Sequence, residues 1–395
     1  MNQSSNSPIT KAIKELAVTS LIQNFETIGD VTLVTAGRNQ FRSLWVRDFC
    51  FCVPALLKLG YRKIVKDQLE LIINHIHPVQ KYAPRTLDSF PTKLRILLNV
   101  FKTAMRLPKT WLSPPLTWRL KPEYLGEHCT PAFDSNILLA LAILTYVEES
   151  KDKEFLNKHS TVLEDLMSFY QAFFENHLIY QPAFSDWQDS VQRRGFSSYI
   201  NLLFWVALKK FYHVTGSNFV SKDFFHSMHH HIIQTFLNSD QLLKTAAHLN
   251  HISIDSTLLA LNHDFFDPVF DPYRIWQSLV HSPLFQDGFP YRTTYPNYPK
   301  KEIAWTVRLI GLSHYHDELC WSWLIALTYK IAQKFSDSNV TRRIEQICFP
   351  VFLDEKNIGE IYTFKNDTIH PWKNGYLESE RPFSWGAALW VEAIP

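Results

Sequence analysis

Residues Phe184 to Leu208 read FSDWQDSVQRRGFSSYINLLFWVAL. Two carboxylates, Asp186 and Asp189, flank Trp187 and Gln188, and Arg193, Arg194 and Gly195 follow. From Tyr199 to Leu208, Asn201 is the only strongly polar residue. A helix that is apolar nearly all round is buried on all sides. A loop carrying acids and an aromatic ring therefore feeds directly into a core helix.

The same kind of buried segment recurs along the chain, at 45–59, 134–147, 198–211, 254–261, 319–332 and 383–394. Between these lie amphipathic segments at 8–24, 61–77, 152–176, 222–237 and 340–352, with a shorter one at 272–281. In 152–176, for example, Phe155, Leu156, Leu163, Leu166, Met167 and Tyr170 fall on one broad stripe and charged residues fill the rest. The two kinds alternate six times. Six buried helices inside six half-exposed ones predict an all-α chain, an (α/α)6 barrel or toroid. A faint repeat agrees, because Phe133-Asp-Ser-Asn-Ile-Leu-Leu-Ala-Leu echoes Ile254-Asp-Ser-Thr-Leu-Leu-Ala-Leu. No linker interrupts the pattern, so residues 1–395 are expected to form one domain, with a Pro- and Trp-rich loop excursion at about 78–133. That excursion and 282–318 are predicted to be long loops on the active-site face.

The inner segments carry acids at their N-terminal ends: Asp48, Asp134, Asp189 just upstream, Asp255, and His316-Asp317. In an alternating barrel all the inner N-termini open on one face, so these groups converge on a funnel. N-capping is the plainer reading for Asp134 and Asp255.

Composition excludes several classes. A net charge of +2 gives no nucleic-acid or membrane-surface field. The one basic excess, Lys102 to Lys121, reads as a solvated insertion. The longest apolar run, Ile137 to Val147, is too short to span a bilayer. Met1 to Thr10 lacks an apolar signal core, and the five cysteines are scattered, with Cys50 and Cys52 too close for an ordinary bridge. A cytoplasmic protein with reduced thiols is expected. There is no phosphate-binding glycine loop and no nucleophile elbow. His229, His230 and His231 are consecutive and do not face one another on a helix. No metal or other cofactor is expected, and nothing reads on oligomeric state.

Acids and aromatic rings around a funnel suit glycosidic-bond cleavage. One carboxyl group protonates the leaving oxygen, and a second activates water or attacks carbon. Asp189, beside Trp187 and just before a buried helix, sits where an apolar wall raises an acid's pKa. Asp186 reads as a turn residue. The base candidates lie near the C-terminus: Glu360 in Ile358-Gly-Glu-Ile-Tyr-Thr, and Glu378 in Tyr376-Leu-Glu-Ser-Glu-Arg. Glu380, next to Arg381, reads as a cap or a surface ion pair.

The segment Trp187-Gln-Asp189, Arg194-Gly195, Ile200-Asn201-Leu-Leu-Phe-Trp205-Val-Ala-Leu208 resembles the general-acid segment of the (α/α)6 glycoside hydrolases. The nearest patterns are the glycogen-debranching amylo-α-1,6-glucosidase domain and the neutral/alkaline invertases. Leu44-Trp45-Val-Arg47-Asp48-Phe49 is similar to the family's first sugar-site motif, and Tyr315-His316-Asp317 with Trp321-Ser-Trp323-Leu324 to a later sugar-contact motif. Phe383-Ser-Trp385 resembles its closing helix, and Glu360-Ile-Tyr362 its base context. The motif after His316 departs from the family, with Glu318, Leu319, Cys320 and Ser322 in place of its G-x-x-W-P part. The resemblance implies an exo-acting, inverting hydrolase of a small sugar or short α-glucan, with Asp189 as acid and Glu360 as base. Trp45, Arg47, Asp48, Asp134, Trp187, Asn201, His316, Asp317, Trp321 and Trp385 would contact the carbohydrate, and no nucleic-acid or membrane partner is implied. A non-catalytic carbohydrate-binding protein on the same toroid, or an α/α-toroid lyase or epimerase, are the competing readings.

Overall fold

The computed structural model describes residues 7–107, 114–126, 128–267 and 269–395. Its helices, in chain order, are α1 (Pro8–Ile22), α2 (Val46–Lys58), α3 (Arg62–Ile73), α4 (Thr92–Ala104), α5 (Ser135–Ser150), α6 (Lys153–Ser168), α7 (Ser198–Thr215), α8 (Lys222–Phe236), α9 (Ile254–Asn262), α10 (Pro272–Val280), α11 (Trp305–Leu309), α12 (Ser322–Lys334), α13 (Ser338–Glu355) and α14 (Ser384–Ala393). The six segments read as buried are α2, α5, α7, α9, α12 and α14. The six amphipathic ones are α1, α3, α6, α8, α10 and α13.

Packing follows that division. Helix α2 lies between α5 and α14, α7 between α5 and α9, and α12 between α9 and α14, so the contacts form a closed cycle. The amphipathic helices lean on the outside, α1 on α14, α6 on α5, α8 on α7 and α13 on α12. Helix α9 is buried from Ile254 to Leu261, and α7 from Ser198 to Leu208. Amphipathic α6 buries only Phe155, His159, Leu163, Leu166 and Met167, a single stripe.

Two expectations need correction. The chain is mostly helical but not all-α, because the described residues also form six small sheets. Several of their strands are only two residues long and run directly into a buried helix: Leu44–Trp45 before α2, Gly195–Phe196 before α7, Ile252–Ser253 before α9 and Cys320–Trp321 before α12. Each pairs with a distant loop, Leu44–Trp45 with Thr86–Leu87 and Cys320–Trp321 with Ile361–Tyr362. Loop backbone beside a core must find hydrogen-bond partners, and these pairings supply them. Strands this short leave no alternating pattern to read. The second correction concerns the excursion at 78–133, which is not only loop. It contains α4 and the strands Thr86–Asp88 and Lys121–Glu123. Residues 108–113 and 127 of it lie outside the described residues, as do residues 1–6 of the N-terminal stretch.

Helix α14 closes the cycle through a tight contact at Gly386, where a β-carbon would overlap the Ser322 side chain of α12. Gly386→Ala is expected to destabilise the fold by about 1–3 kcal/mol, the usual cost of overpacking. Adding Ser322→Gly should recover at least half of the loss, as measured by chemical denaturation. An unchanged midpoint for Gly386→Ala would remove this contact from the account of how the cycle closes.

Candidate active site

The acid loop is built around Asp186. Its carboxylate accepts hydrogen bonds from Gln181 Nε2 at 2.8 Å, the Gln188 backbone N–H at 2.9 Å and Arg193 Nη2 at 2.5 Å. Both partners of the Asp186–Arg193 pair are buried. With Asp186 committed to holding the loop, Trp187 and Asp189 reach the cavity above it. Trp187 Nε1 donates to Asp255 Oδ2 at 2.5 Å, which ties the loop to the start of α9. The Trp187 ring stands edge-on to His316, Trp321 and Trp323. Asp189 remains 37% exposed and faces Arg85 Nη2 at 3.4 Å.

The cavity holds about 170 Å³ of solvent space, room for on the order of ten waters. Of the residues expected to do chemistry or contact sugar, Asp189, Glu360, Trp45, Arg47, Asp48, Trp187, His316, Trp321 and Trp385 line it. The indole N–H groups of Trp45 and Trp385 find no acceptor among the described residues. Beneath Trp385 the rings of Phe51 and Trp323 stack on it, each with centroids 4.4 Å away. Phe51 and Trp323 in turn line a larger cavity, about 720 Å³, walled by inner-helix side chains such as Leu138, Leu203, Leu259 and Leu389. One layer of stacked rings divides the two.

Three residues expected to touch sugar are outside the cavity lining, and each has polar atoms committed to other partners. Asp134 accepts Arg47 Nε at 2.6 Å and Nη2 at 3.0 Å, so it orients Arg47 from behind and does not cap α5. Asn201 is fully buried, receiving the Ile179 N–H at 2.7 Å and donating to the Ile179 and Ser197 carbonyls. Asp317 accepts the Tyr298 N–H at 3.0 Å and pairs with His314. Asp255 is likewise no simple cap, since it takes the Trp187 N–H and the Ser256 N–H at 2.7 Å.

The electrostatics of the wall are unusual. Glu360 is 3% exposed, and its burial pushes its pKa up to about 8, although Tyr315 donates to its Oε1 at 2.7 Å. Burial also pushes Asp48 up to about 7, with Arg47 opposing. The His316 ring, stacked on Trp321 and hydrogen-bonded through Nδ1 to Ser190 at 2.5 Å, is held well below its ordinary range by burial and is neutral at pH 7. Glu380 is neither a cap nor a surface ion pair. It is buried, and its carboxylate receives the backbone N–H groups of Arg38, Asn39 and Phe41 at 2.8–3.3 Å. Gly37 leaves it room, since a β-carbon there would collide with the Glu380 side chain. This cradle positions Gln40 and Phe41 on the cavity wall. Glu378, the alternative base, also lines the cavity and lies 3.5 Å from Arg381.

Sequence reasoning did not single out Arg85, Tyr315, Gln40, Phe41 or Trp372 as site residues. Arg85 reaches the site only because Thr86–Asp88 pairs with Leu44–Trp45, a contact that no spacing announces. Its guanidinium lies over the Trp45 ring, 4.6 Å from the centroid. Tyr315 had a signal, because it stands beside His316 in the quoted motif.

No family model matches the sequence, and no curated protein matches it significantly. Solved structures do match. A rhamnosidase from Klebsiella oxytoca with rhamnose bound superposes over 98% of this chain with a TM-score of 0.64 and 12% identity, and this chain spans 64% of it. A glycosidase in complex with glucose matches over 98% of this chain and 97% of its own, with a TM-score of 0.62 and 12% identity. A GH63 mannosylglycerate hydrolase from Thermus thermophilus, in complex with Tris and D-glycerate, matches over 96% of this chain and 100% of its own, with a TM-score of 0.61 and 9% identity. The chain shares their fold. At these identities the likeness speaks for the fold alone.

The elevated Glu360 pKa has a thermodynamic signature. A carboxyl group whose folded pKa lies above its unfolded value binds its proton more tightly in the folded state. Its stabilising contribution is complete below the unfolded pKa and is lost as pH rises through about 8. Wild-type stability should therefore fall between pH 5 and pH 9, and Glu360→Gln should flatten that slope, with the variant gaining roughly a few kcal/mol on the wild type across the interval. Urea denaturation at several pH values measures this, and identical slopes for the two proteins would rule out the assigned titration.

Proposed function

We propose that the protein is an exo-acting, inverting glycoside hydrolase on an (α/α)6 barrel that forms one domain, cleaving a small sugar or short α-glucan. The observation that carries this reading is a single small cavity in which Asp189 and Glu360 meet a wall of tryptophans. The fold shared with a rhamnosidase and two other glycosidases supports it. Flat rings match the apolar face of a pyranose. The unpartnered indole N–H groups of Trp45 and Trp385 are ready donors for hydroxyl oxygens. Arg47, fixed by Asp134, and Asp48 offer a donor and an acceptor on the same wall.

In this mechanism Asp189 gives its proton to the glycosidic oxygen, and Glu360 takes a proton from a water that attacks the anomeric carbon from the other face. Tyr315, donating to Glu360 Oε1, favours the ionised form that a base requires. The cavity admits about one sugar unit, which suits removal of a terminal residue.

One observation favours a second assignment of roles. Glu360, with its pKa pushed up to about 8, holds a proton at pH 7, while the Asp189 carboxylate faces the Arg85 guanidinium at 3.4 Å. Glu360 would then be the acid and Asp189 the base.

Leaving-group chemistry separates the two. On an unactivated glycoside, Asp189→Asn and Glu360→Gln are each expected to lower kcat by about 100- to 10,000-fold. On a dinitrophenyl glycoside, whose leaving group needs no proton, Asp189→Asn should recover most of its rate and Glu360→Gln should not. Recovery by Glu360→Gln alone reverses the roles, and wild-type rates for both variants would refute the hydrolase reading. Anomer-resolved NMR of the first-formed sugar then reads the stereochemistry.

A further inference from the structure

Helix α4 is amphipathic the wrong way round for a soluble protein. The face turned to the body is polar. Arg95 makes a bidentate pair with Asp88 at 2.9 and 2.8 Å and donates to the Pro114 carbonyl, and Asn99 donates to Gln40 Oε1 at 3.0 Å. Thr92, Arg95, Asn99 and Lys102 are its buried residues. The face turned to solvent carries Leu94, Leu97, Phe101 and Met105, with Leu97 60% exposed. Those polar contacts fix the orientation, so the outward apolar face is how the helix is seated. A second element also turns large apolar side chains outward, although its buried residue, Val307, is apolar. On α11, Trp305 and Leu309 are 64% and 73% exposed.

The two helices share a location. Ile96 of α4 and Val307 of α11 both line the cavity described above, and solvent-exposed Ile310, directly after α11, lines it too, which puts its opening beside them. Their charges also agree. Residues 92–107, 114–121 and 305–312 contain no Asp or Glu, while Lys93, Arg106, Arg119, Lys121 and Arg308 are exposed. Trp118, 76% exposed, lies in the second of these stretches. A short helix that presents leucine, phenylalanine and methionine to the outside, flanked by tryptophan and basic residues, has the composition of a segment that lies in a bilayer interface. A patch that is basic throughout would repel a second copy of itself across a two-fold contact, whereas anionic headgroups complement it.

We propose that α4 and α11 dock the protein on an anionic lipid surface with the mouth of the cavity against the membrane. No helix among the described residues is long and apolar enough to cross a bilayer, so this is peripheral attachment. Docking itself does not depend on the hydrolase reading. Combined with it, docking implies a substrate whose sugar projects from a lipid anchor, since such a sugar would be delivered straight to Asp189.

The test is co-sedimentation of the full chain, without substrate, with vesicles of phosphatidylcholine alone or mixed with phosphatidylglycerol. Binding is expected only to the anionic vesicles and should weaken as salt rises. Leu97→Ser combined with Phe101→Ser and Trp305→Ser should lower the partition coefficient at least tenfold. So should Lys93→Glu combined with Arg106→Glu and Arg308→Glu. All six positions are exposed, and an unchanged melting temperature and far-UV circular dichroism would show that the variants fold. Absence of vesicle binding, or equal binding by both triple variants, would overturn the proposal. So would a lipid-free dimer, seen by sedimentation velocity, that the same substitutions dissolve. Because this readout involves no catalysis, loss of docking and loss of the hydrolase reading are separate results.

Discussion

The buried pair between Arg47 and Asp134 is the constraint on which the cavity depends. Arg47 is in the first turn of α2, and Asp134 immediately precedes α5. The Tyr199 hydroxyl of α7 also lies 3.4 Å from the Asp134 carboxylate. Three successive inner helices thus meet at one charge pair. Taking two ions out of water costs several kcal/mol each, and only good geometry with satisfied hydrogen bonds returns it. The two parallel bonds meet that demand. They hold a planar cation rigidly against a cavity whose wall is rich in aromatic rings and acids.

Around that pair the site collects carboxyl groups that oppose one another's ionisation. Asp48, Glu360 and Glu380 are all buried, and each has its pKa raised by burial. Glu360 is raised further by Glu380 and Asp48. Glu380 is stabilised by three backbone N–H groups and serves the loop. Asp186 likewise serves its loop through Arg193. The structure thus separates acids that build the site from acids that face the cavity, and that division is what a catalytic pair requires.

The helices were legible because burial writes itself into periodicity. An all-apolar segment such as 254–261 and a striped one such as 152–176 can be told apart by eye, and the observed helices follow the alternation. The acid loop was legible because Trp187 and Asp189 precede a helix of the first kind. Direction was not legible. Asp134, Asn201 and Asp317 stand at the right end of the right helices, yet composition does not say whether a carboxylate faces a cavity or a neighbouring arginine. Two-residue strands leave no period, so the pairing that brings Arg85 over Trp45 was invisible. Helix α4 escaped notice because its flanks are rich in proline. Its charge was legible in part, as the basic excess from Lys102 to Lys121, but was read as a solvated insertion.

The ring stack of Phe51, Trp385 and Trp323 has a consequence for traffic. Among the described residues it stands between the cavity and the larger one lined by the inner helices. A polymer cannot thread through and advance by one unit after each event. On the hydrolase reading proposed above, product would leave on the side by which substrate entered, where α4 and α11 border the cavity.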